Sequence, residues 1–202
     1  MLTRRLLFAS SLCFAAIPAR AAAWPAKLVD AAEDQIGKAV LYDPAYVRLA
    51  YPGGDVSMER GVCTDVVIRA YRDGLGVDLQ KRVHDDMRAN FAAYPRQWRL
   101  AQPDPNIDHR RVPNLRTYFK RNGAALPAGD DAADYQPGDI VTMMLPGNLP
   151  HIAIVTQHRN DEDSRPLVVH NIGAGARLQD VLFSFPVTGH YRFDGAPSKL
   201  PE

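Results

Sequence analysis

The sequence is short of cysteine. Only Cys13 and Cys63 occur in 202 residues, which excludes a disulfide-stapled scaffold and any zinc site built from paired cysteines. Long apolar runs are missing too. The run from Leu6 to Ile17 falls short of the roughly 20 residues that a membrane-spanning helix needs. Charge of one sign is not in excess: the formal net charge is +1, which gives no reason to expect general nucleic-acid binding. Six histidines are present, but none lies in an H-E-x-x-H arrangement. Asp104-x-Asn106-x-Asp108 opens like a calcium loop, yet His109 and Leu115 stand where that loop requires glycine and glutamate. Gly173-Ala174-Gly175 lacks the third glycine of a dinucleotide fingerprint. The sequence therefore calls for no metal and no cofactor.

What is there begins with an export signal. Arg4 and Arg5 precede the apolar run, and small residues follow around Ala19-Arg20-Ala21-Ala22-Ala23, the layout of a secretory signal peptide with cleavage after Ala21 or Ala23. Thr3-Arg4-Arg5-Leu6-Leu7-Phe8 also resembles a twin-arginine signal. Leu12 is too large for a lipobox before Cys13, so no lipid anchor is expected. This divides the chain into a leader, 1–23, and one domain, 24–202, exported to the periplasm or beyond, with no stable membrane anchor once the leader is removed. Cys63 would then be a single unpaired thiol in an oxidising compartment.

Hydrophobic periodicity predicts helices over 27–39, 63–73, 78–92 and 113–122. Strands are expected at 140–145, 151–156, 166–171, 177–183 and 187–193, separated by turn residues. Helices followed by consecutive short strands imply an α+β domain with an antiparallel sheet.

Within the second helix, Cys63, Val66, Val67, Ala70 and Tyr71 recur at helical spacing, which puts Cys63 on the core-facing stripe and in the first turn. Amides at a helix N-terminus stabilise a thiolate and can hold an oxyanion. Val62 is a poor cap and leaves those amides free, although Asp65 opposes a thiolate. The candidate base is His151, which opens the apolar strand Ile152-Ala153-Ile154-Val155. Alternation puts it on one face with Ala153 and Val155, whose small size suggests that the cysteine helix packs there. A third group must orient the base. His170 and Asn171 are both suitable, and alternation allows only one to touch His151; His170 is chosen, with Asn171 second. His84 sits on a polar helix segment, and the alternation around His190 suggests a solvent-facing side chain.

These residues resemble the NlpC-type, papain-like clan of bacterial cell-wall cysteine peptidases and amidases. Tyr51-Pro52-Gly53-Gly54, the helix opening at Cys63, Pro137-Gly138-Asp139, the strand from His151 and then His170 stand in that clan's order. More narrowly, the chain resembles the bacterial domain-of-unknown-function family numbered 1287, through YDPAYVRLAYPGGDV, GVCTDVVIRAYR, NIDHRRVPNL, PGDIV, LPHIAIV, VHNIG and TGHYR. Val62 departs from the aspartate that precedes the cysteine in clan members cutting beside a free peptide amine, so that bond preference is not carried over.

The resemblance implies a papain-like α+β fold and a cysteine peptidase or amidase acting on peptidoglycan through Cys63, His151 and His170. Tyr51, Asp65, Arg110 and Arg111 are assigned to substrate binding, because arginine binds the free carboxylates of wall peptides bidentately. The competing reading is a non-catalytic wall-binding protein that uses the same cleft, and retention of a thiol beside two imidazoles favours the enzyme.

Overall fold

A computed structural model describes residues 19–162 and 164–196, without the side chains of residues 19–22. Residues 1–18 of the expected leader lie outside the described residues, whereas 19–23, with the expected cleavage site, open the first helix. Among those described, no helix is long and apolar enough to cross a membrane.

The chain is α+β. Among the described residues four helices, α1 (Ala19–Glu33), α2 (Cys63–Leu75), α3 (Leu79–Ala89) and α4 (Val112–Arg121), precede most of the sheet. The short strands β1 (Leu41–Tyr42) and β2 (Arg60–Gly61) pair in parallel. Strands β3 (Ala125–Leu126), β4 (Ile140–Leu145), β5 (Leu149–Arg159), β6 (Pro166–Asn171), β7 (Ala176–Gln179) and β8 (Val187–Tyr191) form an antiparallel sheet in the order β3-β8-β4-β5-β6-β7.

Local chemistry sets the boundaries. Asp78 caps α3 by accepting from the Lys81 amide, and Pro113 sits at the start of α4, where a missing amide costs nothing. Gly76 closes α2 in the left-handed conformation, φ +67°. The first helix ends at Glu33, before the expected 39, because the buried Gln35 side chain turns inward to bond the carbonyls of Ala31 and Val66. Arg69, fully buried on α2, pairs with Asp55 and donates to the carbonyls of Val56, Ser57 and Arg60. It thereby pins the loop that leads into Cys63.

The sheet is covered on both faces. On one, α2 packs Val66, Val67 and Ala70 with Ile152, Ile154 and Val169. On the other, Tyr135, Val141, Met143, Ala153, Val155, Val168 and Leu182 form a second core, closed by Phe183 and Phe185. The expectation that α2 packs on Ala153 and Val155 is corrected: it packs on the alternate residues. A strand buried on both faces carries no polar face to mark which side meets the helix.

His190 is likewise corrected. It is buried, stacked on Tyr135 at 4.3 Å, and bonded to Asp139 at 2.7 Å and to the Pro127 carbonyl at 3.1 Å. Arg192 adds a two-pronged contact to the same carboxylate.

Candidate active site

The entry to α2 is a tight backbone turn. Gly61 has φ +152°, and a Cβ there would lie 2.8 Å from Asp65 Oδ2. That room lets the Asp65 carboxylate reach back to accept from the Val62 amide at 2.7 Å. Val62 contributes no side-chain cap. Cys63 follows, nearly buried at 5% exposure. The backbone amides of Ile152, Thr64 and Cys63 itself act on its sulfur in the sense that favours a thiolate. Burial outweighs them, with Asp65 adding to it, and pushes the thiol up to about 12.

Strand β5 supplies the imidazole. The β5–β6 ladder begins at Ile154 opposite Val169, so His151 and His170 lie just past its end. There the two rings meet edge to face, with His151 Nε2 2.9 Å from His170 Nδ1. His170 Nε2 lies 2.9 Å from Gln179 Oε1 on β7. Burial, with His170 alongside, lowers His151 to about 3. Burial also lowers His170, and the Gln179 contact works against it. Both rings are therefore neutral near pH 7 and the resting thiol is protonated. No hydrogen bond joins Cys63 to His151 among the described residues. His151 stands opposite Met143 of β4, on the face of the second core, whereas the amide of the next residue, Ile152, reaches the Cys63 sulfur.

Asn171 takes a different direction. Its amide nitrogen donates to the Gly61 carbonyl at 3.1 Å and its oxygen accepts from Gly173 N. It buttresses the turn that presents Cys63 and makes no contact with His151. Of the two adjacent candidates, His170 is the one hydrogen-bonded to His151 among the described residues.

A cleft of about 310 Å³ opens over Cys63, lined on its other sides by Tyr42, Trp98, Arg110, Arg111 and Pro150. The four residues assigned to substrate separate here. Asp65 and Arg110 form a two-pronged pair, 2.8 and 2.9 Å, with side chains 3% and 2% exposed. Arg110 also donates to the carbonyls of Ala45 and Asp43. Each is bound by the other and by its own loop, so the pair fastens 43–45 and 110 to the start of α2, and Arg110 also lines the cleft. Tyr51 is exposed outside the cleft lining, against His84 and Asp85, and Tyr42 stands in the wall instead. Arg111 remains available. Its guanidinium lies 4.1 Å over the Trp98 ring and donates to Asp108 through Nη1 alone.

Sequence reasoning missed Gln179, Trp98 and Tyr42. Gln179 carried no local signal, since it reaches His170 only through the pairing of β7 with β6. Among the described residues, no group of three or more His, Cys, Asp or Glu side chains is disposed to hold a metal ion.

A family model described as "Domain of unknown function (DUF1287)" matches residues 29–193. The chain is also similar to the "Uncharacterized protein YijF" of Escherichia coli (strain K12), 56% identical over 166 residues, which cover 82% of this chain and 80% of that protein. The matched region contains Cys63, His151, His170 and Gln179.

Proposed function

The chain belongs to the DUF1287 family, and we propose that it is a papain-like cysteine hydrolase of the NlpC type, exported to cleave an amide bond in cell-wall peptide. One observation carries this reading: among the described residues the single thiol opens a buried helix at a cleft, its sulfur reached by the Ile152 amide, next in the chain to the His151 that is paired with His170 at 2.9 Å. A structural cysteine needs no histidine pair, and a binding cleft needs no thiol.

The chemistry follows from the neutral resting state. As the Cys63 sulfur attacks the amide carbon, its proton passes to His151, and the carbonyl oxygen gathers negative charge near the amides of Cys63 and Thr64. His151 then returns the proton to the departing amine, which leaves a thioester. Water, deprotonated by the same imidazole, releases the acid. His170 holds the imidazolium formed in between. Arg111 gives the cleft a cation on an aromatic floor, suited to a peptide with a free carboxylate.

The test is to incubate the mature protein and Cys63→Ala with defined peptidoglycan fragments and weigh the products. A mass gain of one water across a cut amide, absent in Cys63→Ala, is the expected result. Binding without any product would instead favour a non-catalytic wall-binding protein, and neither product nor binding would defeat the substrate assignment.

A further inference from the structure

The site holds one polar side chain that the hydrolase reading does not use. Gln179 lies at the far end of a line of contacts, Gln179 Oε1 to His170 Nε2 at 2.9 Å, then His170 Nδ1 to His151 Nε2 at 2.9 Å. Each neutral imidazole has one N–H and one bare nitrogen. A line of two such rings can therefore run in only two senses. If the amide oxygen of Gln179 accepts, His170 carries its proton on Nε2 and offers Nδ1 as an acceptor. His151 must then donate from Nε2, and its Nδ1 is bare. If the amide nitrogen donates instead, every proton moves over, and His151 Nδ1 becomes an N–H that cannot accept a proton.

We propose that Gln179 is a positioning residue that sets this polarity: its oxygen fixes the tautomer of His170, which fixes that of His151 and leaves His151 Nδ1 as the lone-pair nitrogen of the site. The inference rests on the hydrolase reading only for its kinetic consequence. A proton arriving from Cys63 enters at Nδ1 while Nε2–H stays bonded to His170, so no other proton has to move. The arrangement explains how two imidazoles kept neutral by burial form a directed pair, since a buried histidine pair without an outer partner has no preferred sense. Gln179 is suited to the task because it is half-buried and uncharged, so it orders the tautomers without charging the rings.

The experiment is long-range proton–nitrogen correlation on ¹⁵N-labelled protein near pH 7.5, for the native chain, Gln179→Glu and Gln179→Leu. In the native protein, His151 and His170 should each show a pyridine-type Nδ1 and a pyrrole-type Nε2. Gln179→Glu should keep that pattern, since a carboxylate only accepts. It should also move the acid limb of the rate profile to higher pH, because the added negative charge stabilises the imidazolium. Gln179→Leu should mix the tautomers and lower kcat roughly two- to tenfold, with little change in KM. A pyrrole-type Nδ1 on native His151 would overturn the proposal. So would unmixed tautomers in Gln179→Leu with Gln179→Glu indistinguishable from native. If the tautomers behave as stated while no wall fragment is cut, the proton relay stands and the hydrolase reading falls.

Discussion

Removing Arg110 separates a structural role from a substrate role. The Asp65–Arg110 pair is nearly sealed from water, with side chains 3% and 2% exposed and two short parallel contacts. Deleting one partner of such a pair leaves a buried charge alone, which costs about 3–5 kcal/mol. Arg110→Ala belongs near the lower figure, because Asp65 keeps its bond from the Val62 amide. Asp65→Ala belongs near the upper one: it strands the guanidinium and also removes the helix-start contact, itself worth about 1 kcal/mol. For a chain of this size, 1 kcal/mol moves Tm by about 2–4 °C, so Arg110→Ala should melt roughly 6–12 °C lower. The double variant should lose less than the sum of the singles, the excess being a coupling of about 0.5–3 kcal/mol. Thermal melts followed by circular dichroism, on all four proteins, measure it. An Arg110→Ala protein that melts within about 2 °C of native, yet binds wall fragments far more weakly, would refute the structural assignment.

Other outcomes follow from the same geometry. If the proposed hydrolysis holds, Arg111→Ala should raise KM about tenfold to a hundredfold, the worth of a charge-assisted contact of roughly 1.5–3 kcal/mol, and amidating the substrate carboxylate should mimic it in the native protein; unchanged KM would remove Arg111 from the site. His170→Ala should lower turnover by orders of magnitude, whereas Asn171→Ala should act on stability through the Gly61 turn; steady-state rates beside melting curves would show a reversed ranking. Burial holds His109 at about 4 and His151 at about 3, both below the ordinary 6.5. Protonation therefore favours the unfolded chain. Their contribution is whole above pH 6.5 and is lost as pH falls toward the folded values, by roughly 2 kcal/mol each at pH 5. Urea midpoints between pH 7 and 5 read this loss, and a flat profile would show that neither ring is kept neutral.

The sequence made some of this legible and hid the rest for physical reasons. The start of α2 was readable because Cys63, Val66, Val67, Ala70 and Tyr71 recur at helical spacing, although every residue from 63 to 71 is in fact buried. The start of β4 was readable from Pro137-Gly138-Asp139, where Gly138 takes φ +86°. The orientation of β5 was not, since Ile152 to Val155 are all fully buried and period-two reasoning needs a wet face. For His190, alternation told which residues share a side but not that the segment around Pro127 and Tyr135 covers that side. Arg110 and Arg111 are neighbours with opposite fates, one buried against Asp65 and the other stacked on Trp98, and nothing local to the chain distinguishes them. Gln179 reaches His170 only because β7 pairs with β6, a long-range fact that no spacing encodes.

The position of the site follows from where the sheet stops pairing. Beyond Ile154 and Val169 the β5–β6 ladder is not continued, and backbone groups at a strand end need other partners. The Ile152 amide acts on the Cys63 sulfur, and the Gly61 carbonyl, just ahead of α2, accepts from Asn171. The first turn of α2 is thus held where β5 and β6 part, two strands that stay paired on their outer edges with β4 and β7. His151 and His170 flank that gap on the side of the second core, opposite Met143 of β4 and Arg177 of β7, and only where the ladder has opened can a side chain from that side approach a helix terminus on the other. Interior pairing would have kept the thiol and the imidazole on opposite sides of a sheet buried on both. Chemistry between them requires the ladder to end early, so a substitution that extends β5–β6 pairing would separate the two groups without touching either.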